Sequence, residues 1–404
     1  MIRDNASRRQ VMKLAGKGLG LALLGAGVWG CTPEEEPGGT TREPGGGGKG
    51  EGSFTTPPPN TAPEALWQGT TTNTSLSGNH ALTVVGGIVL VSGDPLVGRD
   101  IATGKEVWSR KDVTTPGAGM LIGGGTLYLA SAEYDGNVVG LDPATGKETW
   151  RSHLGTEYSQ PRPIAADDDH VYVLAGILDK DFRTPDNVIA AIDTTSGKVV
   201  WREQRDHGTE QTGVTAKAAG RHLVYTDFRE NLTVRDTSTG QQTWTKKIGR
   251  SNNLDFVVHE DLVVIANGRR LRAFGLADGK ERWSLATEEF SRFNDPALLD
   301  GVLYASDTVH GLWAVEPATG KKVWHNKGSL DVAYPWRFAK VGDTLYGATE
   351  FDDNGGIHAF DAADGKLRWT YNDGTKDIQK WYLASEGNRL VALHAKRLTG
   401  LPAV

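Results

Sequence analysis

The stretch "LDPATGKETW", residues 141–150, decides the fold because near-copies of it run along the chain. Anchored on tryptophan, the copies are "RDIATGKEVW" ending at Trp108, "LDPATGKETW" at Trp150, "IDTTSGKVVW" at Trp201 and "RDTSTGQQTW" at Trp244. They continue with "FGLADGKERW" at Trp283, "VEPATGKKVW" at Trp324 and "FDAADGKLRW" at Trp369. Successive tryptophans stand 42, 51, 43, 39, 41 and 45 residues apart. A period near forty carried by strand-like units signals a β-propeller, each unit being one four-stranded blade.

The turn chemistry is readable within each copy. Glycine lies four residues before the tryptophan in all seven, from Gly104 to Gly365. A hairpin loop needs a left-handed residue there, and glycine has no Cβ to clash. Aspartate stands eight before the tryptophan in five copies, with Gly275 and Glu316 in the other two. Because these residues recur with the turn and with no single site, they read as turn caps. The tryptophans likewise read as blade-to-blade packing, one large amphipathic ring per unit. Upstream of each turn lie two short apolar runs, such as "GGTLYLAS" and "GNVVGLD", which read as strands. No long amphipathic helix is expected after the N-terminal region.

The last unit, "EGNRLVALHAKRLTGLPAV", has the upstream strands but no closing turn and tryptophan. Trp67 stands 41 residues before Trp108, on period, with no strands before it. The segment around Leu66 and Trp67 is therefore expected to supply the outer strand of the final blade, which would close the ring and remove its exposed edges. The expected fold is all-β, an eight-bladed propeller over residues 61–404, with seven blades as the alternative should the last unit be vestigial.

The pattern A-x-D-x-x-T-G-K-x-x-W resembles the docking motif of the PQQ-like β-propeller repeat proteins. "AIDTTSGKVVW" at 191–201 is close to it and "AVEPATGKKVW" at 314–324 is near. The resemblance covers roughly residues 62–404 and implies that Trp67, Trp108, Trp150, Trp201, Trp244, Trp283, Trp324 and Trp369 dock between blades. That family includes quinoprotein alcohol and glucose dehydrogenases, BamB-like lipoproteins and sensor domains, so the motif specifies the repeat and leaves the function open.

The N-terminus gives an address. "SRRQVMK" at 7–13 matches a twin-arginine export pattern, and "GLGLALLGAGV" after it is an apolar run too short to span a bilayer. "VWGC" then ends at Cys31, the single cysteine, and resembles a lipobox, with Trp29 departing from the usual small residue. Residues 1–31 are expected to be a lipoprotein signal ending at the lipidated Cys31. Residues 32–60, dominated by proline and glycine, read as a flexible tether. An extracytoplasmic, lipid-anchored location follows.

The whole chain carries a net charge of −6, and residues 31–404 carry 39 basic and 49 acidic side chains. That balance argues against a nucleic-acid partner. With one cysteine no intramolecular disulfide is possible. The resemblance raises a PQQ-dependent dehydrogenase with calcium. Several such enzymes stack the quinone on a disulfide between adjacent cysteines, which this chain cannot form, and no ligand set carries over. "DDDH" at 167–170 reads as an acidic hairpin tip, "FDDNGG" at 351–356 as a turn, and the ten histidines show no zinc spacing. No catalytic residue, metal or cofactor is assigned. A hydrolase using the channel mouth is a third class.

The segments about ten residues past each tryptophan lead into the innermost strand of the next blade and should crowd one mouth of the central channel. They include "YSQPRP" (158–163), "TEQTGV" (209–214), "SNNLDF" (251–256), "RFNDPA" (292–297), "AYPWRF" (333–338) and "IQKWYL" (378–383). Gln160, Gln211, Asn253, Asn294, Tyr334 and Gln379 fall at similar phase, and Arg162, Arg292, Trp336, Lys380 and Trp381 add anchors of the kind found at interfaces. The expected function is a non-catalytic, membrane-tethered monomer that binds an envelope or extracellular protein, or a polar ligand, at this mouth. Blade 3 carries the longest insertion, "GILDKDFRTPDN" at 176–187.

Overall fold

The computed structural model describes residues 60–404 apart from 72–80, 114–118, 133–135, 182, 185, 206–213, 228–229, 250–254, 310, 328–336, 350–354 and 376–378. The expected signal segment, Cys31 and the expected tether through residue 59 therefore lie outside the described residues. The described residues form 32 strands, β1 to β32 in chain order, and no helix. They group into eight antiparallel sheets of four.

Blades 1 to 7 each take four consecutive strands, spanning residues 82–110, 121–151, 158–205, 215–247, 256–286, 297–326 and 337–371. The eighth is split as the spacing of Trp67 implies. Its inner strands are β30 (Trp381–Glu386), β31 (Arg389–His394) and β32 (Arg397–Pro402), and its outer strand is β1 (Trp67–Thr70). Trp67 pairs with Gly400 and Gln68 with Thr399. The innermost strand β30 lies against both β2 (Leu82–Val85) and β26 (Arg337–Val341), so the ring closes and eight blades stand, not seven.

The core is divided in the same way. Eight apolar clusters among the described residues each bridge two adjacent blades, as Leu82, Val89, Tyr382 and Val391 do between blades 8 and 1. A propeller thus buries each sheet face against its neighbour, as stacked repeats do.

The tryptophans explain why the repeat is conserved along the chain. Each lies opposite a residue that is small in most blades, namely Gly400, Gly98, Gly140, Ala191, Ala273, Ala314 and Ala359, with Val234 the exception. A Cβ on Gly98 would stand 2.3 Å from the Trp108 ring. The indole then crosses to the next blade, where its N–H donates to a backbone carbonyl: Trp108 to Pro143 at 2.8 Å, Trp201 to Thr237 at 2.6 Å, Trp244 to Leu276 at 2.7 Å and Trp283 to Pro317 at 2.9 Å. Trp67, Trp150 and Trp324 donate likewise, to Ile101, Asp193 and Ala362. Trp369 is the exception. It is 7% exposed, and its indole N–H is buried without a partner. Its neighbour is blade 8, whose third and fourth strands come from opposite ends of the chain, so no glycine turn exists there to receive it.

The glycine four residues before each tryptophan has φ between 64° and 73°, the left-handed conformation expected of it. There is a second reason for glycine. A Cβ on Gly104, Gly146, Gly240, Gly279, Gly320 or Gly365 would come within 2.8 Å of the preceding blade's tryptophan ring. The turn and the docked ring therefore require the same residue.

Candidate functional site

The blade topology gives the ring two unlike faces. Connections that enter each innermost strand share one end of the blade with the turns between second and third strands. The other end holds the first hairpin of each blade and the glycine turns. We call these the entry face and the turn face.

The turn face satisfies itself. Asp100 accepts from the Thr103 amide at 2.8 Å and its hydroxyl at 2.6 Å, and Asp142 accepts from the Ala144 amide and the Thr145 hydroxyl. Asp193, Asp236 and Asp361 do the same with their own turns. Where Gly275 replaces the aspartate, Asp278 accepts from the Lys280 amide instead. These bonds hold the carboxyls of Asp142, Asp193, Asp236 and Asp361 below the usual range, led by the Thr145, Ser196 and Ser238 side chains and by Arg368. The acidic "DDDH" is part of this face. Asp167 accepts from the amides of Asp169 and His170 and from the Tyr172 hydroxyl at 2.6 Å, so its oxygens are spent on the hairpin.

The entry face is where the mouth residues were expected. Gln160 is exposed at φ 47°, within a bulge of β10 (Tyr158–Ala166), the innermost strand of blade 3. Two residues on, Arg162 has Nε and one terminal nitrogen buried without hydrogen-bond partners, and burial pushes its pKa down to about 10. Asn294 donates to the Ser306 hydroxyl at 2.8 Å and serves its own blade. Arg292 is exposed beside it and Lys380 is half-buried. Trp381 is a correction. It is 3% exposed and stacks on His394 with ring centres 4.1 Å apart, so it belongs to the core between blades 7 and 8. It opens β30, on the face of the strand that packs inward. Gln211, Asn253, Tyr334 and Trp336 lie outside the described residues, as do residues 351–354 of "FDDNGG".

The insertion in blade 3 lengthens its second hairpin. The strands β11 (His170–Ile177) and β12 (Asp186–Asp193) run eight residues each, and Arg183 closes the tip on Asp179 and Asp181.

Two features of the entry face and channel are not evident in the sequence. The first is charge on the innermost strands. Lys217 of β14 (Thr215–Ala219) reaches across to blade 5, where it donates to the Phe256 carbonyl and lies 3.3 Å from Asp255. Burial raises the Asp255 pKa, but Lys217 and Arg337 outweigh it and the net shift is downward. Arg337 opens β26 of blade 7, so its field reaches Asp255 of blade 5 from two blades away. An acid directly before an apolar run, as in "LDFVV", was the available signal. The second feature is a cleft of about 690 Å³ between blades 5 and 6, lined by Gly268, Arg269 and residues 289–293. Phe290 stands at its edge, 88% exposed with φ 66°. Nothing in "ATEEFSRF" distinguishes that phenylalanine from an ordinary loop residue.

A quinone with calcium needs several oxygen ligands around the metal. Arg162, Lys217 and Arg337 stand on the innermost strands with Asp255 and Asp295 just before them, Asp255 is already held by Lys217, and no group of three or more His, Cys, Asp or Glu among the described residues could hold a metal ion. That set does not fit the metal.

An eight-bladed ring of four-stranded antiparallel sheets, with a tryptophan from each blade docked on the next, defines a PQQ-like β-propeller. The family model described as "Outer membrane protein assembly factor BamB" matches residues 62–173, 92–326 and 254–392, and the chain belongs to that family. Among solved structures it is similar to BamB from Moraxella catarrhalis, at 16% identity and TM-score 0.54, covering 84% of this chain and 99% of that one. It is also similar to the computationally designed Ika8 protein, at 16% identity and TM-score 0.58, covering 83% and 100%. Quinohemoprotein alcohol dehydrogenase from Comamonas testosteroni matches at 12% identity and TM-score 0.56, covering 84% of this chain and 76% of that one. At such identities the likeness shows the fold alone. No curated protein sequence matches the chain.

Proposed function

We propose that this chain is an exported, membrane-tethered propeller that binds a protein partner at its entry face and does not catalyse. The observation that carries the reading is the difference between the two faces. Carboxylates of the turn face are consumed by their own hairpins, whereas the entry face presents Gln160, Arg292 and the cleft of Phe290 on a rigid ring. Groups left over by folding, held on a strand and on a loop fastened to both neighbouring blades, are what a partner can use.

Family membership supports an envelope role, and the export pattern with Cys31 supplies the anchor in this reading. One acyl chain holds a protein only weakly, so stable anchoring at Cys31 requires more than one chain. The proline- and glycine-rich segment through residue 60 would then set the reach of the ring from the membrane.

The test is fractionation of cells producing the full chain, as it stands and as Cys31→Ser, followed by chemical crosslinking of intact membranes. The expected result is membrane-bound protein crosslinked to a discrete partner, with the Cys31→Ser chain released into the soluble fraction. A chain that stays cytoplasmic, or that reaches the membrane and crosslinks to nothing, would contradict the proposal.

A further inference from the structure

The loop that leaves blade 5 and enters blade 6, residues 287–294, is fastened on both sides. To blade 5, Thr287 donates to the Arg269 carbonyl at 2.8 Å and Phe293 to the Gly268 carbonyl at 2.9 Å. To blade 6, the Ser291 hydroxyl donates to Asp307 at 2.7 Å, the Arg292 amide to the Thr308 hydroxyl at 3.0 Å, and the Asn294 amide to the Ser306 carbonyl at 2.9 Å. Phe293 points into the core and meets Trp313 edge-on, with ring centres 5.3 Å apart.

Within this fixed loop the Ser291 amide donates to the Glu288 carbonyl at 3.2 Å, a four-residue turn whose third residue is Phe290. Positive φ at that position alone is the pattern of a type II turn, where glycine is preferred. A bulky side chain there is a strained outlier. The strain is not repaid inside the molecule, because the ring is 88% exposed. The fold therefore holds a large apolar side chain in solvent in a conformation that glycine would adopt more easily.

The surroundings are cationic on an acidic protein. Arg269, Arg270 and Arg292 form no ion pair with any carboxylate among the described residues. Arg269 and Arg270 bond only to the Thr287 carbonyl and the Ser284 hydroxyl. Glu288 is taken by Lys327, which leaves Glu289 as the one opposing charge at the cleft. The chain as a whole has a net charge of −6. The volume of about 690 Å³ suits a few side chains of a polypeptide.

We propose that this cleft is the docking point for an acidic segment of a partner protein, with Phe290 as its apolar anchor and Arg269 and Arg292 as its charge readers. This deepens the partner-binding reading and rests on it. Charge complementarity selects an acidic chain, and an exposed aromatic beside arginines is the composition of an interface hot spot. The acidic net charge disfavours a nucleic acid.

The test is fluorescence anisotropy on the full chain, with a short labelled peptide alternating glutamate and leucine as the probe. A lysine–leucine counterpart and a single-stranded oligonucleotide serve as comparisons. Saturable binding of the acidic peptide alone is expected. It should weaken at least about tenfold in Phe290→Gly and in Arg292→Glu, and fall with added salt. Phe290→Gly should not lower Tm, because glycine relieves the turn. Absent binding, equal binding by Phe290→Gly, or preference for either comparison probe would overturn the proposal. Should Phe290→Gly still crosslink to its partner in membranes, the docking site falls while the partner-binding reading stands.

Discussion

Trp369 offers the sharpest test of how the ring is held together. Trp108 and Trp369 are matched in burial, at 9% and 7% exposure, and occupy the same place in their blades. Only the indole N–H differs: that of Trp108 donates to the Pro143 carbonyl at 2.8 Å, while that of Trp369 is buried without a partner. Changing either to phenylalanine removes similar apolar area, worth about 1 kcal/mol. Trp108→Phe also strands a carbonyl, for a further loss of about 1–2 kcal/mol. Trp369→Phe instead removes an unsatisfied donor, a gain of about 1–3 kcal/mol that offsets the lost area. The expected outcome is that Trp108→Phe costs about 2–3 kcal/mol and Trp369→Phe costs nothing or stabilises by up to about 2 kcal/mol, read as shifts in the urea unfolding midpoint of the full chain. Equal losses would refute the reasoning, because they would require a partner for Trp369 where blade 8 has no turn.

Other expectations follow from single residues. Gly240→Ala should cost about 2–4 kcal/mol, because φ is 73° and the new Cβ would meet the Trp201 ring at 2.5 Å. Gly301→Ala, at φ 76° with open space around it, should cost about 1 kcal/mol in the same unfolding assay. His358 is 1% exposed, and burial pulls its pKa from 6.5 to about 4. The unfolded chain therefore takes up a proton between those values that the native ring refuses, so stability should fall as pH drops from 6.5 to about 4, by up to about 3 kcal/mol. His358→Gln should flatten that slope in a pH series of melting curves. Trp381→Ala should destabilise the ring by about 3–5 kcal/mol, with thermal unfolding as the readout, since Trp381 is core. Titration calorimetry of the full chain with PQQ and calcium should show no saturable heat. Binding at a single site would reopen the dehydrogenase reading.

The architecture was legible because the same physical demand recurs in every blade. One glycine serves both a left-handed turn and the approach of a tryptophan ring, so Gly104 to Gly365 mark the blades directly. Trp67 revealed the split blade by spacing alone. The site was less legible, because residue type does not say whether an aromatic or cationic side chain at a strand's start faces solvent or the neighbouring blade. Arg162, Arg292 and Trp381 were all chosen as anchors of the kind found at interfaces, yet Trp381 is buried against His394. Asp255 and Lys217 meet only after two blades are placed side by side. Phe290 is distinctive through its backbone conformation, which Ser291 and Asp307 impose from another blade.

The central claim is that partners meet the entry face. The measurement that addresses it most directly is photo-crosslinking in cells, with a photoreactive residue placed at Gln160 or Arg292 on one face and at Lys147 on the other. A shared crosslinked partner is expected from Gln160 and Arg292, and none from Lys147. A partner captured from Lys147 alone would contradict it.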